Sequence, residues 1–422
     1  MERRQYRKSS RSMVEQMIKE DVIKYKDNTT KLFNTGETVR SKDTRLFLGK
    51  NSSNRNIQTY HSPKYPWILE FAEELRALGN WSKNEIDLSK EKKDFDSLSV
   101  AGKHIFEKGL KFGIALDSCA GRGPLRLFSE GGLSNNPEWE LYLSNHQNNE
   151  LLHSESYTEM VRAIFNDVDD FIESILTDDF VLKRADSILK ELDKVTDILN
   201  RRDANLTAWD AGWQNTVFHR ASNSDEFISD KLIKKCIYKS AIILNMFEGI
   251  RFFATFVTAW SFSEQPEKLL SGSSNIFKLI ARDEMMHLDV FQKVIKLLRT
   301  SKEEGFLEVV EEMEDEIYAL FRTAHKEEMD WIEHLFSLGS PLIGMNEAIL
   351  KEYMDYIFAV RITNIGMDPS IIGLRIKTNP LPWVDNYLDS SHIKSAPQEI
   401  ESVNYVAAIN SSLDEDFTLE DL

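Results

Sequence analysis

The 422-residue chain holds only two cysteines, Cys119 and Cys236. That excludes a disulfide framework and a cysteine-rich zinc site, and it fits a cytoplasmic protein kept in a reducing environment. It also leaves no CxxC pair for dithiol chemistry. Positive charge is in deficit: the net charge of -17 argues against nucleic acid as a direct partner, because phosphate binding needs a basic face. No basic amphipathic run stands out for a membrane surface. The longest apolar stretches, such as GIRFFATFVTAWSF, read as too short and too interrupted to span a bilayer. The N-terminus, MERRQYRKSSRSM, is basic without an apolar stretch behind it, so no secretory signal is expected. Proline and glycine are also sparse, at 10 and 18, so few residues are present to break helices.

What is abundant is helical periodicity. Apolar residues recur at helix spacing over 66–78, 99–117, 137–174, 180–199, 229–262, 273–299, 303–336 and 346–366, which predicts an all-α protein of long helices joined by short connections. The stretch QNTVFHRASNSDEF (214–227) is the one candidate for a small β-hairpin. Both ends differ from the middle. Residues 1–45 combine a basic start, one amphipathic candidate (Val14, Met17, Ile18, Val22, Tyr25) and Thr/Asn/Lys-rich sequence. They are expected to form a partly mobile extension to a domain spanning 46–385. The remainder, 386–422, loses periodicity and ends in SSLDEDFTLEDL, where Phe417, Leu419 and Leu422 stand on an acidic background. Such a tail cannot build a core but suits docking into a partner's groove.

Chemistry enters through ELLH and EMMH. Of nine histidines, His153 and His287 follow a glutamate by three residues, and about one such match is expected by chance. Taken singly, each is as well explained by an i, i+3 surface pair. The wider pattern is more specific. Asp117 lies in the apolar run FGIALDSCAG and precedes Glu150 of ELLH; Glu248 lies in ILNMFEGIRFFATF and precedes Glu284 of EMMH. A carboxylate among Leu, Phe, Ile and Met on its own helix is costly to bury unless a cation or hydrogen bonds compensate. One carboxylate from each of two helices and ExxH from each of two others is the donor set of a carboxylate-bridged dinuclear site in a ferritin-like bundle. Oxygen and imidazole donors without thiolate suit iron or manganese.

The stretches LDSCAGR, ELLHSESYT, FEGIRFF, LIARDEMMHL, NPLPWVDNYL and APQEIESVNY, in this order, resemble the small, radical-generating subunit of class I ribonucleotide reductase. The resemblance runs from about residue 45 to 422 and does not extend to residues 1–45. It implies six metal ligands, Asp117, Glu150, His153, Glu248, Glu284 and His287, around two iron ions, with manganese or a mixed pair accepted by the same donors. It further implies that Tyr157 holds a stable radical inside a shell containing Phe252, Phe256 and Ile280. Trp81 would relay electrons near the metals, with Asp283 and Arg282 supporting it, and Tyr405, accompanied by Glu399, would pass the radical between subunits.

The mechanism so implied has the reduced metal pair react with O₂ or a reduced oxygen species and oxidise Tyr157, with an additional electron entering through Trp81. The oxidising equivalent would then travel through Trp81 and Tyr405 to a cysteine of the large subunit, where a ribonucleoside diphosphate is reduced. The C-terminal tail would dock on that subunit, and the chain would be a homodimer. The missing cysteine pair agrees with this division of labour, because ribose reduction needs thiols. Other readings of the same residues are a ferritin-like dimetal oxidase or store, a dimetal oxygenase (for which glutamate rather than Asp117 is expected) and a helical scaffold. The scaffold leaves Asp117 and Glu248 unexplained.

Overall fold

Small polar residues and prolines mark where the long helices begin. The computed structural model describes residues 45–49, 57–79, 81–129, 133–210 and 228–388. The long helices among these are α1 (Pro66–Leu78), α2 (Val100–Ala120), α3 (Pro137–Ile164), α4 (Asp179–Asp210), α5 (Asp230–Met246), α6 (Phe253–Ser263), α7 (Ser271–Thr300), α8 (Leu307–Leu335) and α9 (Glu347–Asn364). Pro66 and Pro137 open α1 and α3, where a fixed φ suits the first turn and the missing N–H costs no helical bond. Ser99, Ser229 and Asn346 cap α2, α5 and α9 by accepting from Gly102 N, Leu232 N and Ile349 N. No strand element occurs among the described residues, and the expected hairpin at 214–227 lies outside them, as do Tyr405, Glu399 and almost all of residues 1–45.

The periodicity of 137–174 suggests one helix, but the structure has two. Asp167 is extended and its side chain accepts from Asp170 N, which starts a separate short helix, Val168–Ile175. Phe165, freed from α3, stacks on Phe171 with ring centroids 4.2 Å apart. A local cap and an aromatic contact thus override a continuous apolar pattern.

The expectation of no run long and apolar enough for a bilayer needs correction. The continuous span Asp230–Ser263 is 34 residues long and meets both criteria by length and composition. Its apolar window is wholly buried inside the bundle, which accounts for its hydrophobicity.

Four helices, α2, α3, α7 and α6, form a ring at the heart of the fold, with α1 and α5 packed on it. α3 packs on α2 and α1, α7 packs on α5, α6 and α3, and α6 closes the ring against α2. The start of α7 is fixed from outside the ring. Buried Glu91 accepts from Gly272 N (3.0 Å) and Ser273 N (3.1 Å), and Asp94 accepts from Leu270 N (3.1 Å). Two carboxylates therefore sit at the positive end of the helix that carries Asp283, Glu284 and His287. Leu270 pays for this placement with a left-handed backbone, φ 55°.

Between α5 and α6 the chain forms a π-helical turn, Phe247–Arg251, that contains Glu248. One extra residue in a turn disrupts the normal ladder of backbone bonds, and arginines from other helices bond carbonyls there. Arg184 of α4 donates to the Arg251 carbonyl at 2.6 Å, and Arg361 of α9 donates to the Gly249 carbonyl at 3.1 Å. Arg184 and Arg251 in turn share the buried carboxylate of Glu328, at 2.6–2.9 Å from Arg184 and 2.8 Å from Arg251.

Candidate metal centre

The six candidate ligands come from four elements and meet in one buried volume. Asp117 comes from α2, Glu150 and His153 from α3, Glu248 from the π turn, and Glu284 and His287 from α7. All are fully buried. The i, i+3 spacing puts each Glu–His pair on one helix face. His287 Nδ1 lies 3.1 Å from both Glu150 Oε1 and Glu284 Oε2, and His153 Nδ1 lies 3.2 Å from Glu284 Oε1.

The donors form two overlapping groups that share Glu150. Asp117, Glu150, His153 and Glu284 make one, with ligand atoms within 4.8 Å of one another; His146, Glu150, Glu248 and His287 make the other. His146 was not anticipated. It lies four residues before Glu150, on the same face of α3, so the signal was the inverted spacing HxxxE rather than ExxH.

This arrangement fits a pair of cations. Both oxygens of Asp117, Glu150 and Glu248, together with Glu284 Oε1, are buried without a hydrogen-bond partner, as are His153 Nδ1, His287 Nε2 and His146 Nε2. Unpaired buried carboxylates cost several kcal/mol each. Burial, and then the charges of Glu150 and Glu248, push Asp117 and Glu284 well above the usual carboxylate range. Burial opposes ionisation of Glu248 too, but the close approach of Glu284, His146 and His287 holds it well below that range. Four carboxylates balance two divalent ions in charge, so bound metal replaces the protons and imidazole contacts that otherwise make the cluster tolerable.

Tyr157 lies one turn after His153 and is fully buried. Its hydroxyl closes no hydrogen bond. Burial, and then the carboxylate of Asp117, raise the phenol well above its ordinary pKa, so it stays protonated. The ring of Phe277 meets it edge-on at 5.9 Å, and Phe256 packs behind Phe277 at 6.1 Å. Phe252, Phe256 and Ile280 are all fully buried, and Phe277, not singled out in the sequence, is the ring that meets the phenol. Gly113 is another. Set one turn before Asp117, it leaves the space that the phenol fills: a Cβ there would lie 3.1 Å from Tyr157 Cε1, Cζ and Oη.

On the opposite side, Asp283 Oδ2 accepts from Trp81 Nε1 at 2.8 Å and lies 3.2 Å from His153 Nε2. Its other oxygen accepts from Arg282 Nε and Nη2 at 3.1 and 3.0 Å. Burial alone would raise Asp283, but Arg282, His153 and Trp81 together hold it below the ordinary range. An ionised Asp283 bonded to Nε2–H fixes the His153 tautomer that turns Nδ1 toward the carboxylates.

Comparison with known proteins agrees with the geometry. The family model for "Ribonucleotide reductase, small chain" matches residues 58–373. Ribonucleoside-diphosphate reductase 1 subunit beta of Escherichia coli O157:H7 is 33% identical, with 86% of this chain and 92% of that protein covered. The beta subunit of Enterobacteria phage T4 is 29% identical over 79% of this chain and 85% of its own length. Among solved structures, the R2 subunit from Clostridium botulinum shares the fold with a TM-score of 0.67 at 22% identity, covering 87% of this chain and 99% of that one. The chain belongs to the ribonucleotide reductase small-chain family. Its function is that of a class I small subunit, in which a dinuclear iron or manganese–iron centre serves a tyrosyl radical used with a large subunit.

Proposed function

We propose that Asp117, Glu150, His153, Glu248, Glu284 and His287 hold the dinuclear centre and that Tyr157 stores the oxidising equivalent. The observation that carries this reading is the placement of an unbonded, fully buried phenol beside Asp117, one turn from His153. When bound, the metal pair supplies one-electron oxidising power that no side chain of this protein has. Tyr157 gives up one electron and its phenolic proton. Asp117, whose carboxylate stands beside the phenol, is the group placed to take that proton. Phe277 against the phenol, Phe256 behind it and the wholly buried setting exclude water and reductants from the resulting neutral radical.

Trp81, Asp283 and His153 form the conducting contact between the metal side and the protein exterior. Asp283 accepts from Trp81 and holds His153 at once, so a change of charge on either is felt by the other. Tyr405, with Glu399 nearby in sequence, continues the route in the segment 386–422, which docks on the large subunit through its apolar residues. The protein acts in the cytoplasm as a homodimer built on the domain 46–385, with residues 1–45 as an extension.

Assay with the large subunit tests this assignment. Tyr405→Phe is expected to keep full radical yield by EPR yet lose ribonucleotide reduction. Turnover at the wild-type level in that variant would remove Tyr405 from the route.

A further inference from the structure

His146 lies on the metal-facing side of α3 and has no part in the six-residue donor set. It is fully buried, and its Nε2 has no hydrogen-bond partner. That nitrogen lies 3.3 Å from Glu150 Oε1 and 3.5 Å from Glu248 Oε1. Cis donors on one first-row ion, each bound at about 2.1 Å, are separated by about 3 Å, so these spacings are those of atoms able to share an ion. The imidazole ring lies face to face with that of His287 at 3.7 Å, so the two rings have to swing apart for both to turn a nitrogen lone pair on one ion.

The far side of the ring is also suited to ligation. Nδ1 lies 3.4 Å from the Tyr142 hydroxyl. Burial pushes that phenol far above its ordinary range, so it remains a neutral hydroxyl. With Nδ1–H donating to Tyr142 Oη, the lone pair of Nε2 points at the carboxylates. Metal-bound histidines are usually oriented by such a partner on the second nitrogen. Charge favours the same conclusion: the four carboxylates already neutralise two divalent ions, and a neutral nitrogen adds a donor without adding charge.

We propose that His146 is a third histidine ligand of the dinuclear centre, binding through Nε2 to the ion held by Glu150, Glu248 and His287. The two halves of the centre are then unequal. The Asp117–His153 half has one imidazole and the Glu248–His287 half has two. Nitrogen donors strengthen binding of the later divalent metals, so the second half binds more tightly and prefers iron over manganese more strongly than the first. This inference rests on the six-residue assignment above.

The test uses the full chain, metal-free and without oxygen, titrated with Mn²⁺ and read by free-Mn²⁺ EPR and by pulsed EPR of nitrogen couplings. Wild type is expected to bind two ions, the tighter one coupled to two imidazole nitrogens. His146→Gln should bind that ion at least about tenfold more weakly with one imidazole coupling, leaving the other ion unchanged. Tyr142→Phe should give a smaller loss in the same position. The wild-type couplings decide the matter even if a variant folds poorly. Two bound ions, each coupled to a single imidazole, would overturn the role of His146 and leave the six-residue site standing. Failure of wild type to bind a pair of ions would overturn both.

Discussion

Gly113 and Tyr157 occupy mirrored places around the centre, one turn before Asp117 on α2 and one turn after His153 on α3, and the glycine leaves the room the phenol takes. A methyl group at Gly113 would sit 3.1 Å from three phenol atoms. Gly113→Ala gains about 0.5–1 kcal/mol of helix propensity, but forcing atoms into a packed core costs about 1–3 kcal/mol. The crowding wins. The variant is expected to melt slightly earlier, bind metal normally and give a tyrosyl EPR signal of altered shape or reduced yield. A wild-type signal would show that the phenol is not confined by this contact.

Asp283 joins Trp81 to His153, and the two neighbours depend on it differently. Asp283→Asn removes the charge that sets the His153 tautomer, so metal affinity should fall by roughly 10- to 100-fold. Trp81→Phe leaves Asp283 and His153 in place, so metal should load normally while electron delivery to the centre slows. Equal metal affinity in wild type and Asp283→Asn would separate Asp283 from the site.

The π turn that presents Glu248 is held by the Arg184–Glu328–Arg251 cluster. Glu328→Ala leaves two buried guanidinium groups with less than their balancing charge. A loss of about 3–5 kcal/mol is expected, because breaking a buried pair costs the desolvation of the survivor. Denaturant unfolding of the metal-free protein measures it. A loss below about 1 kcal/mol, the range of exposed pairs, would mean that water reaches the cluster.

His334 gives a pH dependence remote from the centre. Burial, then the nearby His104 and Lys108, lower its pKa from 6.5 to about 4. The unfolded chain therefore takes up this proton first, and stability is lost as pH falls from 6.5 toward about 4. Unfolding midpoints at about pH 7.5 and 5 should fall less in His334→Gln than in wild type. An equal fall in both would place the acid sensitivity elsewhere.

Much of the bundle was legible because helix-period apolar patterns survive in long amphipathic segments, and α1 begins and ends where its periodicity does. The carboxylates were legible for the opposite reason: Asp117 and Glu248 break the apolar character of their own helices. His146 was missed because its spacing to Glu150 is reversed from the motif sought. Gly113 was missed because a glycine carries no chemistry, and its meaning is the space it leaves. The π turn adds one residue to a helix whose whole circumference is apolar, so periodicity cannot register it. The contacts of Arg184, Glu328 and Arg251 join residues distant in sequence, and only packing reveals them.

The account turns on Tyr157 being the residue that is oxidised. EPR of the metal-loaded, oxygen-exposed protein measures this directly, beside Tyr157→Phe loaded to the same metal content. The predicted result is a tyrosyl radical signal in the wild type that is absent from the variant. A fully loaded wild type without a radical, or an unchanged signal in Tyr157→Phe, would contradict it.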